Sequence, residues 1–180
     1  MKIKIHHNPW QHGQVQNFLP DSLLNDCIQY SYRTLTTNKP NTSRFIVTEY
    51  TDYLMHQKLN TFSKPLFKKF CKKFKIRHQP VDILYFFTNY NNMDSNNIHV
   101  DLDWKLLTVI CALSHKGNGT DLYKTNLQYV KTTDWKLNSA SILPRFPDNY
   151  HDVGKSVDTD RISLNITYCK KGCVPEKYMK

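Results

Sequence analysis

The spacing of apolar residues changes at about residue 80, and this change most constrains the fold. Before it the spacing is helical: apolar residues at 23, 24, 27 and 28 form a stripe, which predicts a helix that begins at Pro20 or Asp21. A second helical region is predicted over 51–75, interrupted near Ser63-Lys64-Pro65, where Ser63 caps a new helix. The polar stretch 36–43 predicts a loop between the two regions.

From residue 80 onward the sequence predicts short strands. The stretch Val81–Tyr90 is rich in aromatic and β-branched residues, which favours a strand. A loop is predicted at 91–97, and further strands at 99–101, 105–113, 120–123, 127–130, 140–143, 150–153 and 161–167. Helices followed by many short strands are typical of an α+β domain built on a β-sandwich or barrel. At 180 residues, one domain spanning 1–180 is predicted, with a helical lead-in at 1–79 and a β core at 80–168.

The chain is basic, with 25 Lys and Arg residues against 15 Asp and Glu and a net charge of +10. Its densest basic run, 68–77, also has apolar residues at helical spacing, which predicts an amphipathic helix with a solvated basic face. A nucleic-acid-binding surface is the alternative interpretation. No apolar stretch is long enough to span a membrane, no signal peptide is evident, and the five scattered cysteines do not form a disulfide framework. These features predict a soluble, cytoplasmic protein without a membrane partner.

Two short segments carry the residues most able to do chemistry. In His99-Val100-Asp101, an extended backbone places the two outer side chains on the same side. An imidazole from a distant strand, such as His151, would complete two neutral nitrogens and one carboxylate, a set typical of non-haem Fe(II) sites with open positions. Arg161 follows ten positions after His151 and suits the carboxylate of a co-substrate. Asp103 is a rival carboxylate if the strand continues.

The order of these segments resembles a known family. The matching parts are His99-Val100-Asp101, the strand 107–113, the Asn118-Gly119 turn into 120–123, and then His151 and Arg161. This order is similar to that of the Fe(II)- and 2-oxoglutarate-dependent oxygenases, and most like the prolyl 4-hydroxylase branch. The resemblance implies a double-stranded β-helix, a jelly-roll or cupin-like core, with the N-terminal helices packed on one sheet.

The resemblance also implies roles for particular residues. His99, Asp101 and His151 would bind Fe(II), and no catalytic residue beyond this metal centre is implied. Arg161 would pair with the distal carboxylate of 2-oxoglutarate, and Ser163 would add a hydroxyl contact. A tyrosine of the family also contacts this co-substrate; Tyr90 is the candidate, with Tyr85 as its rival. The implied reaction consumes 2-oxoglutarate and O2, hydroxylates a C–H bond and yields succinate and CO2, with ascorbate in a supporting role.

Two departures narrow the implied substrate. Oxygenases that repair alkylated nucleic acid carry a further Arg six positions after the co-substrate Arg, and this chain has Thr167 there. Collagen-type prolyl hydroxylases commonly have Lys where this chain has Arg161. The expected substrate is therefore a protein or peptide, with prolyl residues among the candidates, or a small molecule. The alternatives are a non-catalytic jelly-roll binding module and a basic nucleic-acid-binding domain, whose binding would depend strongly on salt.

Overall fold

The computed structural model describes residues 1–35, 44–90, 98–153 and 161–178, without the side chains of Tyr90 and Lys177. The loops predicted at 36–43 and 91–97 lie outside these residues. The described elements, in chain order, are β1 (Lys4–His6), β2 (His12–Val15), α1 (Asp21–Leu35), β3 (Arg44–Val47), α2 (Tyr53–Phe74), β4 (Val81–Tyr90), β5 (Lys105–Ala112), β6 (Thr120–Tyr123), β7 (Tyr129–Thr132), β8 (Ala140–Pro144), β9 (His151–Val153), β10 (Arg161–Lys170) and a 3₁₀ turn (Glu176–Tyr178).

Helix α2 is continuous, so the predicted interruption at Ser63-Lys64-Pro65 is wrong. Asp52 caps its start by accepting a 2.9 Å hydrogen bond from the amide of Met55. Pro65 removes one backbone hydrogen bond, but Leu59 and Phe67 on either side of it are buried in the same core. Packing of this shared apolar face outweighs the local penalty of the proline, and the helix continues to Phe74. Neither described helix combines the length and the apolar character that crossing a bilayer requires.

The strands form two antiparallel sheets. The large sheet has the order β1-β2-β8-β5-β10-β4-β3, and the small sheet has the order β7-β6-β9. β10 lies in the interior of the large sheet, between β5 and β4, and is paired with β4 from Arg161 opposite Tyr90 to Lys170 opposite Val81. The two sheets face each other, because Leu122 of the small sheet packs against Leu143 of the large sheet. The architecture is an α+β fold with a jelly-roll core, as the sequence predicted.

The large sheet has one face toward the helices and one toward the small sheet. On β10, Ile162, Leu164 and Ile166 belong to the main core cluster, which also contains the buried side chains of α1 and α2. Because side chains alternate along a strand, Arg161 and Ser163 project to the opposite side. We call this side, which faces the small sheet, the inner face. The helices therefore pack on one face, and the inner face is left for the site.

Several predicted strand boundaries need correction. The segment at 99–101 was expected to be a strand, but only a single bridge joins His99 to His151. The strand predicted at 127–130 lies at 129–132, because Leu127 adopts a left-handed turn conformation with φ of 62°. Strands β1, β2 and β3 were not predicted. All three precede residue 80 in the sequence, and all three belong to the large sheet. The single domain remains a prediction.

Candidate metal centre

Three side chains with metal-binding atoms lie close together between the two sheets. The ligand atoms of His99, Asp101 and His151 are all within 4.8 Å of one another. Asp101 and His151 are buried and His99 is exposed. The structure thus brings together the three residues that the sequence predicts as metal ligands. Two imidazoles and one carboxylate are a donor set that suits a divalent first-row metal.

Backbone pairing holds the two histidines side by side. The amide of His99 donates to the carbonyl of His151 at 3.0 Å, and the amide of His151 donates back at 2.9 Å. Directly opposed residues of an antiparallel pair project to the same side, and the two ring centroids are 4.6 Å apart. One bridge between a loop and β9 is therefore enough to place both imidazoles.

The environment of His151 prepares one ring nitrogen to bind a metal. Its Nδ1 lies 2.9 Å from the carbonyl oxygen of Asn149, an arrangement that assigns the proton to Nδ1 and leaves the Nε2 lone pair available. Burial lowers the pKa of His151, and this effect outweighs the nearby Asp101, which raises it. His151 is therefore neutral at physiological pH, as a metal ligand must be.

The carboxylate of Asp101 is held at both oxygens. Lys105, four residues along the chain, forms a salt bridge and hydrogen bond with Oδ1, and the hydroxyl of Thr108 donates to Oδ2 at 3.1 Å. Burial alone would raise the pKa of Asp101, but Lys105, followed by His151 and His99, holds it below its usual value. Asp101 is ionised at neutral pH and oriented toward the histidines.

Asp103, the rival carboxylate, points into solvent. Its side chain is 85% exposed and forms a salt bridge with Arg145. Arg145 also donates from Nε to the backbone carbonyl of Asp101 at 3.1 Å. The chain turns after Asp101, where the amide of Lys105 donates to the carbonyl of Leu102, so the strand does not continue and the two carboxylates diverge.

A loop over residues 114–119 wraps around Arg161. This residue is 1% exposed, and its Nε donates to the carbonyl of Asn118 at 2.7 Å. Its guanidinium lies 4.3 Å from the ring centroid of Trp135. Gly117 has φ of 118°, and a Cβ there would lie 2.8 Å from the Cβ of Arg161, so the loop approaches this closely only with glycine. The loop therefore fixes the base of the Arg161 side chain.

Strand register connects Arg161 to the metal centre. Thr167 is paired with Thr108, which holds Asp101, and paired residues project to the same face. Since Arg161 and Thr167 are six positions apart on β10, they too share this face. Arg161 and Asp101 thus lie on the same inner face, at different points along the sheet.

Between these points the inner face carries buried polar atoms that lack partners. The Oγ of Ser163, the Oγ1 of Thr88 and the Oδ1 of Asn165 have no hydrogen-bond partner among the described residues. These residues are 0%, 1% and 8% exposed, respectively. Thr88 is the register partner of Ser163, and Asn165 follows two positions later on the same strand. Unpaired buried polar groups are costly, so this row suits a polar ligand.

The structure separates the two candidate tyrosines. Tyr85 is fully buried on the helix side, where its hydroxyl lies 2.7 Å from the Oγ of Ser63 in α2. The side chain of Tyr85 therefore points away from the inner face. The backbone of Tyr90 is paired with Arg161, but its side chain lies outside the described residues. A role for Tyr90 remains a prediction.

Solved structures share this fold across most of the chain. A prolyl-4-hydroxylase of Pseudomonas putida matches with a TM-score of 0.69 at 14% identity, covering 89% of this chain and 93% of that one. A prolyl hydroxylase of Trichoplax adhaerens, in complex with a hypoxia-inducible-factor peptide fragment, matches with a TM-score of 0.70 at 15% identity, covering 93% and 84%. HygX of Streptomyces hygroscopicus, with nickel and 2-oxoglutarate bound, matches with a TM-score of 0.64 at 10% identity, covering 89% and 83%. No protein-family model and no curated protein matches the sequence.

These likenesses establish the class of fold. The chain has the jelly-roll fold of the 2-oxoglutarate-dependent oxygenases, and prolyl hydroxylases are among the structures that it resembles. This confirms the resemblance predicted from the order of His99, Asp101, His151 and Arg161. At 9–15% identity, the likeness extends to the fold and leaves the roles of these residues as predictions.

Sequence reasoning missed the residues that support the site. Lys105 and Thr108 hold Asp101, and Asn149 orients His151. Thr88 faces Ser163 from a strand more than seventy positions earlier in the sequence. Only Asn165 could have been found from the sequence. Side chains two positions apart on a strand share a face, so Arg161, Ser163 and Asn165 are expected on the same side of the predicted strand. The others depend on register or on loop geometry.

Proposed function

We propose that this protein is an Fe(II)- and 2-oxoglutarate-dependent dioxygenase that hydroxylates a C–H bond of a protein, peptide or small-molecule substrate. His99, Asp101 and His151 bind the iron, and Arg161 pairs with the distal carboxylate of 2-oxoglutarate. The observation that carries the proposal is the grouping of these three ligand atoms within 4.8 Å between the two sheets. Bound iron and 2-oxoglutarate supply the oxidising power for the reaction with O2, which also yields succinate and CO2.

The residues present fit both groups. Asp101 and a neutral His151 are ligands in the protonation states that a divalent cation requires. Arg161 is a permanent cation in a buried site, which suits a carboxylate desolvated from water. The unpartnered oxygens of Ser163, Thr88 and Asn165 offer further contacts to a polar co-substrate. A non-catalytic binding module has no physical need for all of these together.

The protein's own contribution is orientation. Lys105 and Thr108 fix the carboxylate plane of Asp101, and the Asn149 carbonyl fixes the ring of His151. The loop 114–119 prevents Arg161 from moving toward solvent. These three residues would hold the metal and would leave it coordination positions for co-substrate and O2. The metal, the co-substrate and the substrate would then bind next to one another in a fixed geometry.

A peptide substrate, with prolyl residues among the candidates, receives support from the likeness to prolyl hydroxylases. One of these is in complex with a peptide fragment of hypoxia-inducible factor. The exposed side of His99 leaves the metal centre approachable from outside. Thr167, which stands where nucleic-acid repair oxygenases carry an Arg, disfavours a nucleobase as the substrate.

The decisive experiment measures succinate from 2-oxoglutarate with Fe(II), ascorbate and air. Wild-type protein is expected to form succinate. Without a primary substrate it should still do so, at a low rate that is not coupled to hydroxylation. Co(II) or Fe(II) binding under anaerobic conditions is measured in parallel by absorption spectroscopy or calorimetry. Absence of both turnover and metal binding would overturn the proposal, whereas metal binding without turnover would indicate a binding module.

Matched variants separate the roles. His99→Ala and Asp101→Ala should abolish metal binding, whereas Asp103→Ala, which changes an exposed carboxylate two positions away, should leave it intact. Arg161→Ala should retain the metal and weaken 2-oxoglutarate binding by about 30-fold or more, since losing one partner of a buried charge pair costs at least about 2 kcal/mol. Equal metal loss in the Asp103 variant would contradict the assignment of Asp101.

A further inference from the structure

Nearly all of the net positive charge of this protein is carried by one helix and its C-terminal extension. Of the 25 Lys and Arg residues, eight lie between 53 and 81, and none of the 15 Asp and Glu residues does. The remaining chain therefore has 17 basic and 15 acidic residues and is close to neutral. A charge imbalance confined to one element is a property of that surface rather than of the composition.

The structure places these charges on one solvent-exposed surface. Phe67, Phe70 and Phe74 are at most 2% exposed and anchor α2 on the large sheet. The opposite side of the helix carries the exposed basic residues Lys64, Lys68, Lys69, Lys72 and Lys73, continued by Lys75 and Arg77. We call this surface the basic face. Five of its seven cationic residues lie on α2 itself, so helical spacing keeps them on one side of the protein.

The charges of the basic face are not balanced within the described part of the chain. No described carboxylate forms a salt bridge with Lys64, Lys68, Lys72 or Lys73, whereas Lys58 at the other end of the helix pairs with Asp26. Like charges four positions apart, such as Lys64 and Lys68, destabilise a helix. The helix dipole favours Lys72 and Lys73 in the last turn, but not lysines two turns earlier. An external anion would relieve this repulsion.

The residues around the basic face indicate which kind of anionic partner it can bind. Stable attachment to a membrane takes two signals, a basic patch and inserted apolar groups. The exposed large apolar residues of this region, Tyr50, Tyr53 and Leu54, lie at the start of α2, beside Glu49 and Asp52. These carboxylates would be repelled by an anionic lipid surface. The basic face itself exposes seven cationic side chains, six lysines and Arg77, which suits a phosphodiester backbone bound by charge alone.

We infer that the basic face of α2 binds the phosphate backbone of duplex nucleic acid without reading its sequence. Phe67, Phe70 and Phe74 are buried, and Phe62 is packed against the same core, so none of the phenylalanines of α2 is positioned to stack on bases. Lysines act as hydrated point charges and need no defined geometry of the bound phosphates. α2 packs on the helix side of the large sheet, whereas the metal centre lies on the inner face. Nucleic acid bound here therefore leaves the metal centre open and serves as an attachment site, not as the substrate.

The test measures binding of fluorescent 20-base-pair DNA and RNA duplexes of two unrelated sequences by anisotropy. Binding is expected for both sequences with similar affinity, and the logarithm of the affinity should fall linearly with the logarithm of the salt concentration. Replacing Lys64, Lys68, Lys72 and Lys73 together with Gln should lower affinity at 100 mM salt by about tenfold or more and reduce the salt slope by roughly 3 to 4. Circular dichroism verifies that the helix persists.

A second variant with the same loss of charge is the control. Lys2, Lys124, Lys136 and Lys170 are exposed and lie outside α2, so their joint replacement with Gln should change affinity by less than about threefold. Equal losses in the two variants would show that net charge alone is responsible and would overturn the inference. It would also be overturned by absence of duplex binding at 50 mM salt, or by binding to phosphatidylserine vesicles in preference to the duplexes. The assay needs neither iron nor turnover, so its outcome is independent of the proposed reaction.

Discussion

The salt bridge between Lys105 and Asp101 offers a quantitative test of where the metal binds. The two side chains are 20% and 5% exposed. Removing one partner of a buried ion pair destabilises a protein by about 3–5 kcal/mol, because the other charge is left uncompensated. Since Lys105 is partly exposed and Thr108 continues to donate to Asp101, we expect Lys105→Met to cost about 3 kcal/mol in the metal-free protein.

A divalent cation at the triad would replace the missing ammonium as the counter-charge of Asp101. The stability lost in Lys105→Met should therefore be partly recovered when metal is bound. If half of about 3 kcal/mol is recovered, the variant binds metal about tenfold more tightly than wild type. Urea denaturation with chelator and with saturating Mn(II), together with calorimetric titration of the metal, measures both quantities.

A second lysine provides the control for this experiment. Lys171 forms a salt bridge with Asp82, which is separated from Lys105 by strand β10, and its side chain is 68% exposed. Lys171→Met should change stability by less than about 1 kcal/mol, equally with and without metal. The reasoning is refuted if Lys105→Met loses the same stability in both states, or if it binds metal more weakly than wild type.

Three further predictions concern the loop, the lead-in and pH. Gly117→Ala introduces a Cβ 2.8 Å from that of Arg161 at a φ of 118°, so calorimetry should show weaker 2-oxoglutarate binding with unchanged metal binding; loss of both would contradict a local effect. Asn138→Ala removes hydrogen bonds to the amide and carbonyl of Leu19, at 2.8 and 2.9 Å, and should lower the free energy of unfolding by about 3 kcal/mol. Asn138→Gly should lower the free energy of unfolding somewhat less, because glycine tolerates the φ of 61° at this position. An equal decrease in the two variants would show that backbone strain does not contribute to the effect of Asn138→Ala. Burial lowers the pKa of His12 to about 4, so between pH 6.5 and 4 the unfolded chain takes up a proton that the folded chain does not. Stability should therefore fall by up to about 3 kcal/mol as pH decreases through this window, and His12→Phe should remove that part of the slope in urea titrations; an unchanged slope would assign it to other groups.

Much of the β core was predictable because its long strands carry strong local patterns. β4 has the predicted bounds, and β10 begins at the predicted Arg161. Strands β1 and β2 have only three and four residues and include His6 and His12, so no local pattern marks them. β2 pairs with β8, far along the chain, and β1 pairs with β2, so pairing determines the conformation of both. Short strands of this kind depend on tertiary context rather than on propensity.

The grouping of His99, Asp101 and His151 could be predicted from the sequence, but the residues that hold and orient them could not. His99, Asp101 and His151 were found from residue type and order, although the expected strand at 99–101 is a loop with one bridge. The salt bridge from Lys105 arises only because the chain turns after Leu102, and no local pattern indicates this. Thr88 enters the site through its register with Ser163, which requires knowing that β4 and β10 are neighbours.

The interior position of β10, between β5 and β4, has a consequence for synthesis on the ribosome. The strand at 161–170 lies between β4 and β5, so these two cannot be bridged until the chain has been made almost to its described end. Until then, each presents an unpaired edge, which favours contact with other chains and gives chaperones a target. The proposed metal ligands all precede β10, but Arg161 arrives with it. On the proposed function, the residues for metal binding are synthesised before the residue for co-substrate binding, and oxidation requires the completed sheet.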